Sequence, residues 1–239
     1  MNFGLIDRVV IVTGAAGALG SVMARQLLGQ GARVALVDLV PDAVRSEFGE
    51  RAASQNAWVA DATDLTDSAA VARMVDGTLQ AFGRIDGLVN IAGGYRAGAP
   101  VHEMTLSDWE LMFAINVRSA LLASRAVVPH FLRQGSGAIV NVGSRAALAG
   151  VGDAGAYSAA KAVVVRLTES MSVELKDRGV RINSVLPSVI DTEANRAAMP
   201  GADFGRWVDP VALAEVILFL LSDGARAIHG AAIPVFGRV

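Results

Sequence analysis

Seven short apolar runs recur along the chain, and each has the composition of a buried β-strand. The runs are rich in β-branched residues, are bounded by Gly, Asp or Asn, and are too continuous to leave one face in water. Longer segments of helical periodicity lie between most of them. The predicted strands cover 8–13, 32–38, 56–60, 87–92, 137–143, 180–186 and 231–236. The predicted helices lie near 18–30, 64–82, 107–134, 155–178 and 209–222, and the first should end at Gly29 or Gly31.

The alternation of strand and helix predicts right-handed crossovers and a parallel sheet covered on both faces. We therefore expect one doubly wound α/β domain over residues 1–239, Rossmann-like, with about seven strands and no internal repeat. Ligands of such sheets bind beyond the carboxyl ends of the strands, so polar residues at those ends are the first candidates for function.

Composition narrows the class of protein. The chain is 53% hydrophobic and 18% charged, which suits a large core and argues against disorder. A net charge of −2 gives no indication of a nucleic-acid or membrane partner. There is no cysteine, and the three histidines are scattered, so no metal site is predicted. With no signal peptide or long apolar run recognised in the sequence, we expect a cytoplasmic protein.

A glycine-rich turn follows the first predicted strand. In TGAAGALGS, Gly14, Gly17 and Gly20 allow a tight turn and close approach of the backbone to a pyrophosphate at the start of a helix. Asp38 ends the second predicted strand, where a carboxylate can accept the ribose hydroxyls of a dinucleotide and repel a 2′-phosphate. The alternative is that Asp38 only caps the next turn. Turn and acid together predict a dinucleotide, with NAD(H) preferred and NADP(H) as the alternative.

Tyr157 and Lys161 are four residues apart in an apolar helical segment and should therefore share one face. A lysine cation beside a phenol favours the phenolate, and lowering the tyrosine pKa from near 10 to about 7 would take roughly 4 kcal/mol. We therefore predict Tyr157 as a general acid/base that Lys161 activates. The structural alternative is a packed aromatic ring with a lysine that reaches to solvent. Only two Tyr and two Lys occur in the chain, which makes a chance pairing rare.

Two further polar residues fit this chemistry. Ser144 follows the apolar run GAIVNVG, where its hydroxyl could hydrogen-bond a substrate oxygen or merely cap a loop. Asn116 lies inside an apolar helical segment and needs buried partners, so a role in a water or lysine network is predicted.

The motifs TGxxGxxG, Asp38, the Asp61 of VADATD, NIAG at 90–93, Asn116, Ser144 and Tyr157-x-x-x-Lys161 resemble those of the short-chain dehydrogenase/reductase family over nearly the whole chain. The resemblance implies that Tyr157 is the acid/base, that Lys161 lowers its pKa and binds the nicotinamide ribose, that Ser144 polarises the carbonyl and that Asn116 holds a relay water. It also implies a set of cofactor contacts: Gly14, Gly17, Leu19, Gly20, Asp38, Asp61, Ala62, Asn90, Ala92, Gly93, Tyr157, Lys161, Ile190 and Thr192. The sequence departs from the usual family pattern in its glycine spacing and in NIAG, but no catalytic group is lost.

Several functional questions stay open at this level. The expected activity is hydride transfer between nicotinamide and a carbonyl or alcohol substrate; the alternatives are reduction of a quinonoid dihydropterin and a catalytically silent NAD(H) sensor. A lid over the substrate is predicted near 191–209, and Tyr95, Arg145 and Trp207 are substrate-pocket candidates. The long apolar helices, together with the family resemblance, suggest a homo-oligomer, either a dimer or a tetramer.

Overall fold

The computed structural model describes residues 3–239, and its centre is one sheet of seven parallel strands. The strands are β1 (Val9–Thr13), β2 (Arg33–Val37), β3 (Ala57–Val59), β4 (Gly87–Asn90), β5 (Gly137–Val142), β6 (Val180–Pro187) and β7 (Ala232–Val235). Their order across the sheet is β3-β2-β1-β4-β5-β6-β7. Each predicted apolar run corresponds to one strand, with ends that differ by at most two residues. The predicted fold class is confirmed.

Residues 3–239 form eight α-helices, most of which pack on the two faces of the sheet. They are α1 (Ala18–Gly29), α2 (Pro41–Phe48), α3 (Ser68–Phe82), α4 (Leu106–Phe113), α5 (Ser119–Gln134), α6 (Gly155–Leu175), α7 (Glu193–Ala198) and α8 (Pro210–Leu221). The sequence pattern did not predict α2 or α7. Both are short, and α2 buries only Val44 and Phe48, so neither shows a clear apolar periodicity.

The segment predicted as one helix over 107–134 is two helices joined by a turn of π-helix. This π turn, Ala114–Arg118, lies between α4 and α5 and contains Asn116. A single π turn inserts one residue into an otherwise α-helical path, and such turns are frequent at functional sites. The apolar pattern alone could not reveal it, because one extra residue hardly changes a 3.6-residue periodicity.

Two apolar cores lie on opposite faces of the sheet. One packs α1 and α8 against the strands, with Met23, Leu27 and Leu218 fully buried. The other packs α3 and α5 against the opposite face, with Met74 and Phe131 fully buried. Because the strands are covered on both faces, they read in sequence as continuous apolar runs.

The stretch Leu106–Gln134 is long and apolar enough to cross a membrane by length and composition alone. In this fold one face of α5 is buried, with Ala123, Val127 and Phe131 against the sheet. A core helix of an α/β protein passes the same test, so we interpret this stretch as part of the core.

The strand order reverses direction at β1, which pairs with β2 on one side and with β4 on the other. The chain leaves these neighbouring strands toward opposite faces, and a crevice opens beyond their carboxyl ends. Thr13, at the end of β1, accepts hydrogen bonds at its Oγ1 from the backbone N–H groups of Ile91 and Ala92, each at 3.1 Å. The segment after β4 is therefore held against the glycine-rich turn.

Candidate active site

The glycine-rich turn after β1 has a geometry that side chains would obstruct. Gly14 has a φ of +68°, and a Cβ there would lie 3.1 Å from the backbone of Ala92. A Cβ on Gly20 would overlap the carbonyl oxygen of Gly14. Gly17 precedes α1 and offers no side chain to cap the free N–H groups of the first turn. The turn therefore presents exposed helix N–H groups to an anion, as a dinucleotide pyrophosphate requires.

A cleft of about 450 Å³ opens beside this turn. The predicted cofactor residues that line it are Gly14, Gly17, Leu19, Gly20, Asp38, Ala92 and Gly93. Ile91, within the predicted stretch 90–93, also lines it. Its wall further contains residues that the sequence reasoning missed: Ala18, Leu39, Thr63, Asp64, Leu65, Thr66, Ile115 and Ser119. Most of these lie within a few residues of a predicted position, which was the only signal available in the sequence. The glycine turn, the cleft and the carboxylate of Asp38 together fit a dinucleotide.

Seven of the fourteen predicted cofactor contacts are outside the wall of this cleft: Asp61, Ala62, Asn90, Tyr157, Lys161, Ile190 and Thr192. Asp61 and Ala62 are exposed and do not line the cleft, whose wall on that side begins at Thr63. The reason is that β3 ends at Val59, so the chain has already turned outward at 61–62. Asn90 is buried, and its amide donates hydrogen bonds to other side chains and not into the cleft.

Asp38 is fixed at the edge of the cleft by the backbone. Its Oδ2 accepts a hydrogen bond from the N–H of Ala16 at 3.1 Å, and its Oδ1 accepts one from Val40 at 3.3 Å. A carboxylate has about four acceptor positions, so it can still accept ribose hydroxyls. Arg45, the nearest following cation in sequence, pairs with Asp42 at 3.0 Å. Asp38 does make turn contacts, as the structural alternative expected, and it also lines the cleft.

Tyr157, in the first turn of α6, is the centre of a second group of polar residues. Ser144, which follows β5, lies near the Tyr157 hydroxyl and acts to lower its pKa. The ring of Tyr95 meets the Tyr157 ring edge-on, with centroids 4.9 Å apart. The Nζ of Lys161 lies 5.8 Å from the centroid of the Tyr157 ring. The structure thus brings three of the four predicted catalytic residues together at the carboxyl end of β5.

In the protein by itself the net pKa of Tyr157 is raised, not lowered as the sequence suggested. Burial raises the pKa of Tyr157 above its ordinary value, and the nearby Ser144 hydroxyl offsets this only in part; the neighbouring Tyr95 raises it further. The ammonium of Lys161 is directed at the backbone, where Nζ donates a hydrogen bond of 2.9 Å to the carbonyl of Val142.

Lys161 itself is a buried cation. Burial lowers its pKa from 10.5 to about 8, because the ammonium is removed from water. No ion pair within residues 3–239 includes it. At neutral pH the side chain is still mostly charged, and it presents this charge beside the cleft.

Asn116 completes the group from the π turn. It is 2% exposed, and its Nδ2 donates to the carbonyls of Met112 and Gly94, each at 3.0 Å. Its Oδ1 accepts a 3.3 Å hydrogen bond from the N–H of Gly94. A Cβ on Gly93 would lie 2.6 Å from Asn116 Oδ1 and 3.7 Å from Lys161 Nζ, so the two side chains converge there. The direct partners of Asn116 are therefore backbone groups that shape the cleft.

The predicted lid contains α7 and a short 3-10 helix, Phe204–Arg206. Thr192 caps α7 by accepting a hydrogen bond from Asn195 N–H at 3.2 Å, and Ile190 pairs with Val208 across the base of the segment. Trp207 packs on Phe204. The lid is also tied to the chain terminus, because Arg206 Nη2 donates to the carbonyl of Arg238 at 2.7 Å.

Arg145, next to Ser144, lies with its guanidinium 5.7 Å from the ring of Phe236 near the chain terminus. Of the three predicted substrate residues, Tyr95 is the one in direct contact with Tyr157.

The parallel sheet, the glycine cleft and the Tyr157 group together define a nicotinamide-dependent oxidoreductase of the doubly wound class. The family model "short chain dehydrogenase" matches residues 8–202, and the chain belongs to this family. D-threitol dehydrogenase from Mycolicibacterium smegmatis is 36% identical over 245 residues, which cover 99% of this chain and 94% of that protein. Meso-2,3-butanediol dehydrogenase from Serratia marcescens is 36% identical over 97% of this chain and 94% of its own length.

Among solved structures, NAD+-bound xylitol dehydrogenase superposes with a TM-score of 0.90 at 27% identity, covering 98% of this chain and 99% of that one. The predicted family is confirmed, and the chain is an NAD(P)-dependent oxidoreductase of alcohol and carbonyl groups. The relatives named here are alcohol dehydrogenases, so pterin reduction is not favoured.

Proposed function

We propose that Tyr157 is the general acid/base of this oxidoreductase and that Ser144, Lys161 and Asn116 assist it. The observation that carries the assignment is the convergence of Ser144, Tyr157 and Lys161 at the carboxyl end of β5. A substrate oxygen placed between these two hydroxyls would accept a hydrogen bond from each in the reduction direction. Bound beside them, the nicotinamide would supply or accept the hydride at the neighbouring carbon.

The protonation states of the group suit a reduction at neutral pH. Because the pKa of Tyr157 is raised, its phenol keeps the proton that the nascent alkoxide needs. Lys161, with a pKa of about 8, is mostly charged and favours the phenolate that remains once the proton has left. Asn116 holds the backbone of Gly94 in place and is proposed to position a relay water. In the oxidation direction, Tyr157 must first lose its proton, which favours alkaline pH.

We propose a preference for NAD(H) over NADP(H). The carboxylate of Asp38 lines the cleft, where a 2′-phosphate would meet its negative charge. Asp38→Ala is expected to narrow the ratio of kcat/KM for NADH to kcat/KM for NADPH. A wild-type protein that strongly prefers NADPH would contradict this reading of Asp38.

The proposed substrates are small secondary alcohols with a neighbouring hydroxyl, and the corresponding ketones. Support comes from relatives named for threitol, 2,3-butanediol and xylitol, which are all vicinal diols or polyols. Tyr95 is 65% exposed beside Tyr157, so we assign it to the substrate pocket, with Arg145 and Trp207 at its rim. We propose the segment 191–209 as the lid.

The test is a panel of diols, polyols, ketones and quinonoid dihydropterin, each assayed with both cofactors. Tyr157→Phe should lower kcat by roughly 10²- to 10⁴-fold while dinucleotide binding persists. Tyr95→Phe is the matched comparison, since these are the only two tyrosines; it should mainly change KM. If the wild-type protein binds NADH but turns over no substrate in the panel, the sensor alternative is favoured.

Two further properties are proposed. An apolar surface on α4, α5 and α6, with Leu106, Leu121 and Val173 exposed, supports a homo-oligomer, either a tetramer or a dimer. Light scattering of the purified protein measures its mass directly, and a monomer would contradict the proposal. We also propose a cytoplasmic location, supported by a sequence without cysteine.

A further inference from the structure

A chain of hydrogen bonds between buried side chains joins four elements of the fold. Asn90 Nδ2 donates to Ser124 Oγ at 3.1 Å and to Asn141 Oδ1 at 2.8 Å. Asn141 Nδ2 in turn donates to Thr168 Oγ1 at 2.8 Å. We call Asn90, Ser124, Asn141 and Thr168 the polar network. All four side chains are buried, and each donor or acceptor in such surroundings is costly to leave unpaired.

The two strand members of the polar network lie just before active-site segments. Asn90 is the last residue of β4, and the chain continues directly into Ala92 and Gly93 of the cleft. Asn141 is in β5, three residues before Ser144. A hydrogen bond between Asn90 and Asn141 therefore fixes the ends of two neighbouring strands relative to each other.

The two helix members lie on the helices that carry the other catalytic groups. Ser124 is in α5, eight residues after Asn116 and just over two turns away. Thr168 is in α6, seven residues after Lys161, so the two side chains lie on the same face about 10 Å apart along the axis. Each of the four elements around the reaction site thus contributes one member to the polar network.

The buried face of α6 consists largely of small residues such as Ala160, Val164 and Val165. Small side chains make few contacts that fix the rotation of a helix, so its hydrogen bonds to the sheet matter for its position. Within residues 3–239, two side-chain hydrogen bonds join α6 to β5: Lys161 to the Val142 carbonyl, and Asn141 to Thr168. Two attachment points two turns apart fix both the rotation and the axial position of a helix.

We propose that the polar network positions the catalytic groups, with Asn141 and Thr168 as positioning residues that act through α6. Thr168 is fully buried and has no contact with the cleft, so it acts only through the placement of Tyr157 and Lys161. Without the Thr168 hydroxyl, the Asn141 amide loses its acceptor and α6 keeps one attachment to β5, at the catalytic lysine. This inference rests on the proposed function of Tyr157.

The test is Thr168→Val, which removes the hydroxyl and nearly keeps the volume. We expect kcat to fall by about 10- to 100-fold, since small misplacements of reacting groups have effects of this size. The KM for NADH should change less than kcat, because the glycine turn and Asp38, which hold the rest of the dinucleotide, are on other elements. Thr168→Ser restores the acceptor and should recover most of kcat.

Thr78→Val is the matched control. Thr78 is also fully buried in a helix, and its hydroxyl bonds the carbonyl four residues earlier at 2.8 Å, as that of Thr168 does. It lies in α3, outside the polar network. Both variants lose one helix hydrogen bond, and Thr168→Val also leaves the Asn141 amide without its acceptor, so it should lose more stability. Thr78→Val should keep the wild-type kcat. Equal values of kcat for Thr168→Val and Thr78→Val would overturn the proposal.

A second readout does not depend on turnover. The two tyrosines give two ¹³Cζ resonances in the cofactor-free protein, which Tyr95→Phe assigns. The Tyr157 resonance should shift in Thr168→Val and return in Thr168→Ser. An unmoved Tyr157 resonance in folded Thr168→Val would refute the positioning role of the polar network, even if the wild-type protein turned over no substrate. Failure of this inference can therefore be told apart from failure of the proposed function. If Thr168→Val does not fold, Ser124→Ala provides the same test at the α5 end, with the same two readouts.

Discussion

Lys161 is expected to reduce the stability of the protein that contains it. The ammonium is buried, one hydrogen bond to Val142 is its contact with the backbone, and no carboxylate pairs with it within residues 3–239. Lys161→Met replaces it by a side chain of similar length that tolerates burial. We predict that this variant is inactive and, at neutral pH, more stable than the wild type.

The magnitude follows from the pKa of the lysine. Burial lowers it from 10.5 to about 8, and at about 1.4 kcal/mol per pH unit the charged form costs the folded state roughly 3 kcal/mol. Loss of the hydrogen bond to Val142 costs about 1 to 2 kcal/mol in the variant. The net gain in the free energy of unfolding is therefore about 1 to 2 kcal/mol at pH 7.

The gain must also depend on pH in a defined direction. Below pH 8 the lysine is charged in both states, so the full cost is present. Between pH 8 and 10.5 the unfolded chain binds more protons than the folded protein, and wild-type stability rises with pH relative to the variant. From pH 7 to pH 10 the stability difference between Lys161→Met and the wild type should fall by about 2 to 3 kcal/mol, so that the variant is no longer the more stable protein at pH 10.

Urea unfolding followed by tryptophan fluorescence at pH 7, 8, 9 and 10 measures both effects, with protein concentration held constant. Lys176→Met is the matched control, because Lys176 is the only other lysine and is exposed. Its stability difference from the wild type should stay near zero at every pH. A Lys161→Met protein that is less stable at pH 7, by an amount independent of pH, would refute the reasoning.

Three other substitutions test separate parts of the structure. Arg181 donates four hydrogen bonds to backbone carbonyls within 220–225 at the end of α8, so Arg181→Met should lower the free energy of unfolding by about 2 kcal/mol in urea titrations with little change in kcat. Gly20→Ala would place a Cβ against the Gly14 carbonyl, and NADH fluorescence should show binding weakened at least about tenfold. Arg238→Ala removes the hydrogen bond from this guanidinium to Gly205 in the lid, and steady-state kinetics should show a higher substrate KM with an unchanged KM for NADH.

The fold could be predicted from sequence because its strands are buried on both faces. Burial makes each strand a continuous apolar run, and alternation with helices then leaves few topologies open. The glycine turn could also be predicted, since Gly14 and Gly20 lie where a Cβ would contact the backbone. The π turn at 114–118 was not, because it adds one residue without changing the apolar pattern.

The pKa of Tyr157 shows why the chemistry of a site is harder to predict from sequence than the residues that form it. The i,i+4 spacing correctly placed Tyr157 and Lys161 on one face of α6, but spacing carries no information about desolvation. In the structure, burial favours the uncharged form of both groups, because it raises the pKa of the phenol and lowers that of the ammonium. On raising the pH, Lys161 therefore loses its proton before Tyr157 does. At neutral pH the tyrosine therefore keeps its proton. The charge of Lys161 opposes the effect of burial by stabilising the phenolate that forms when this proton is transferred.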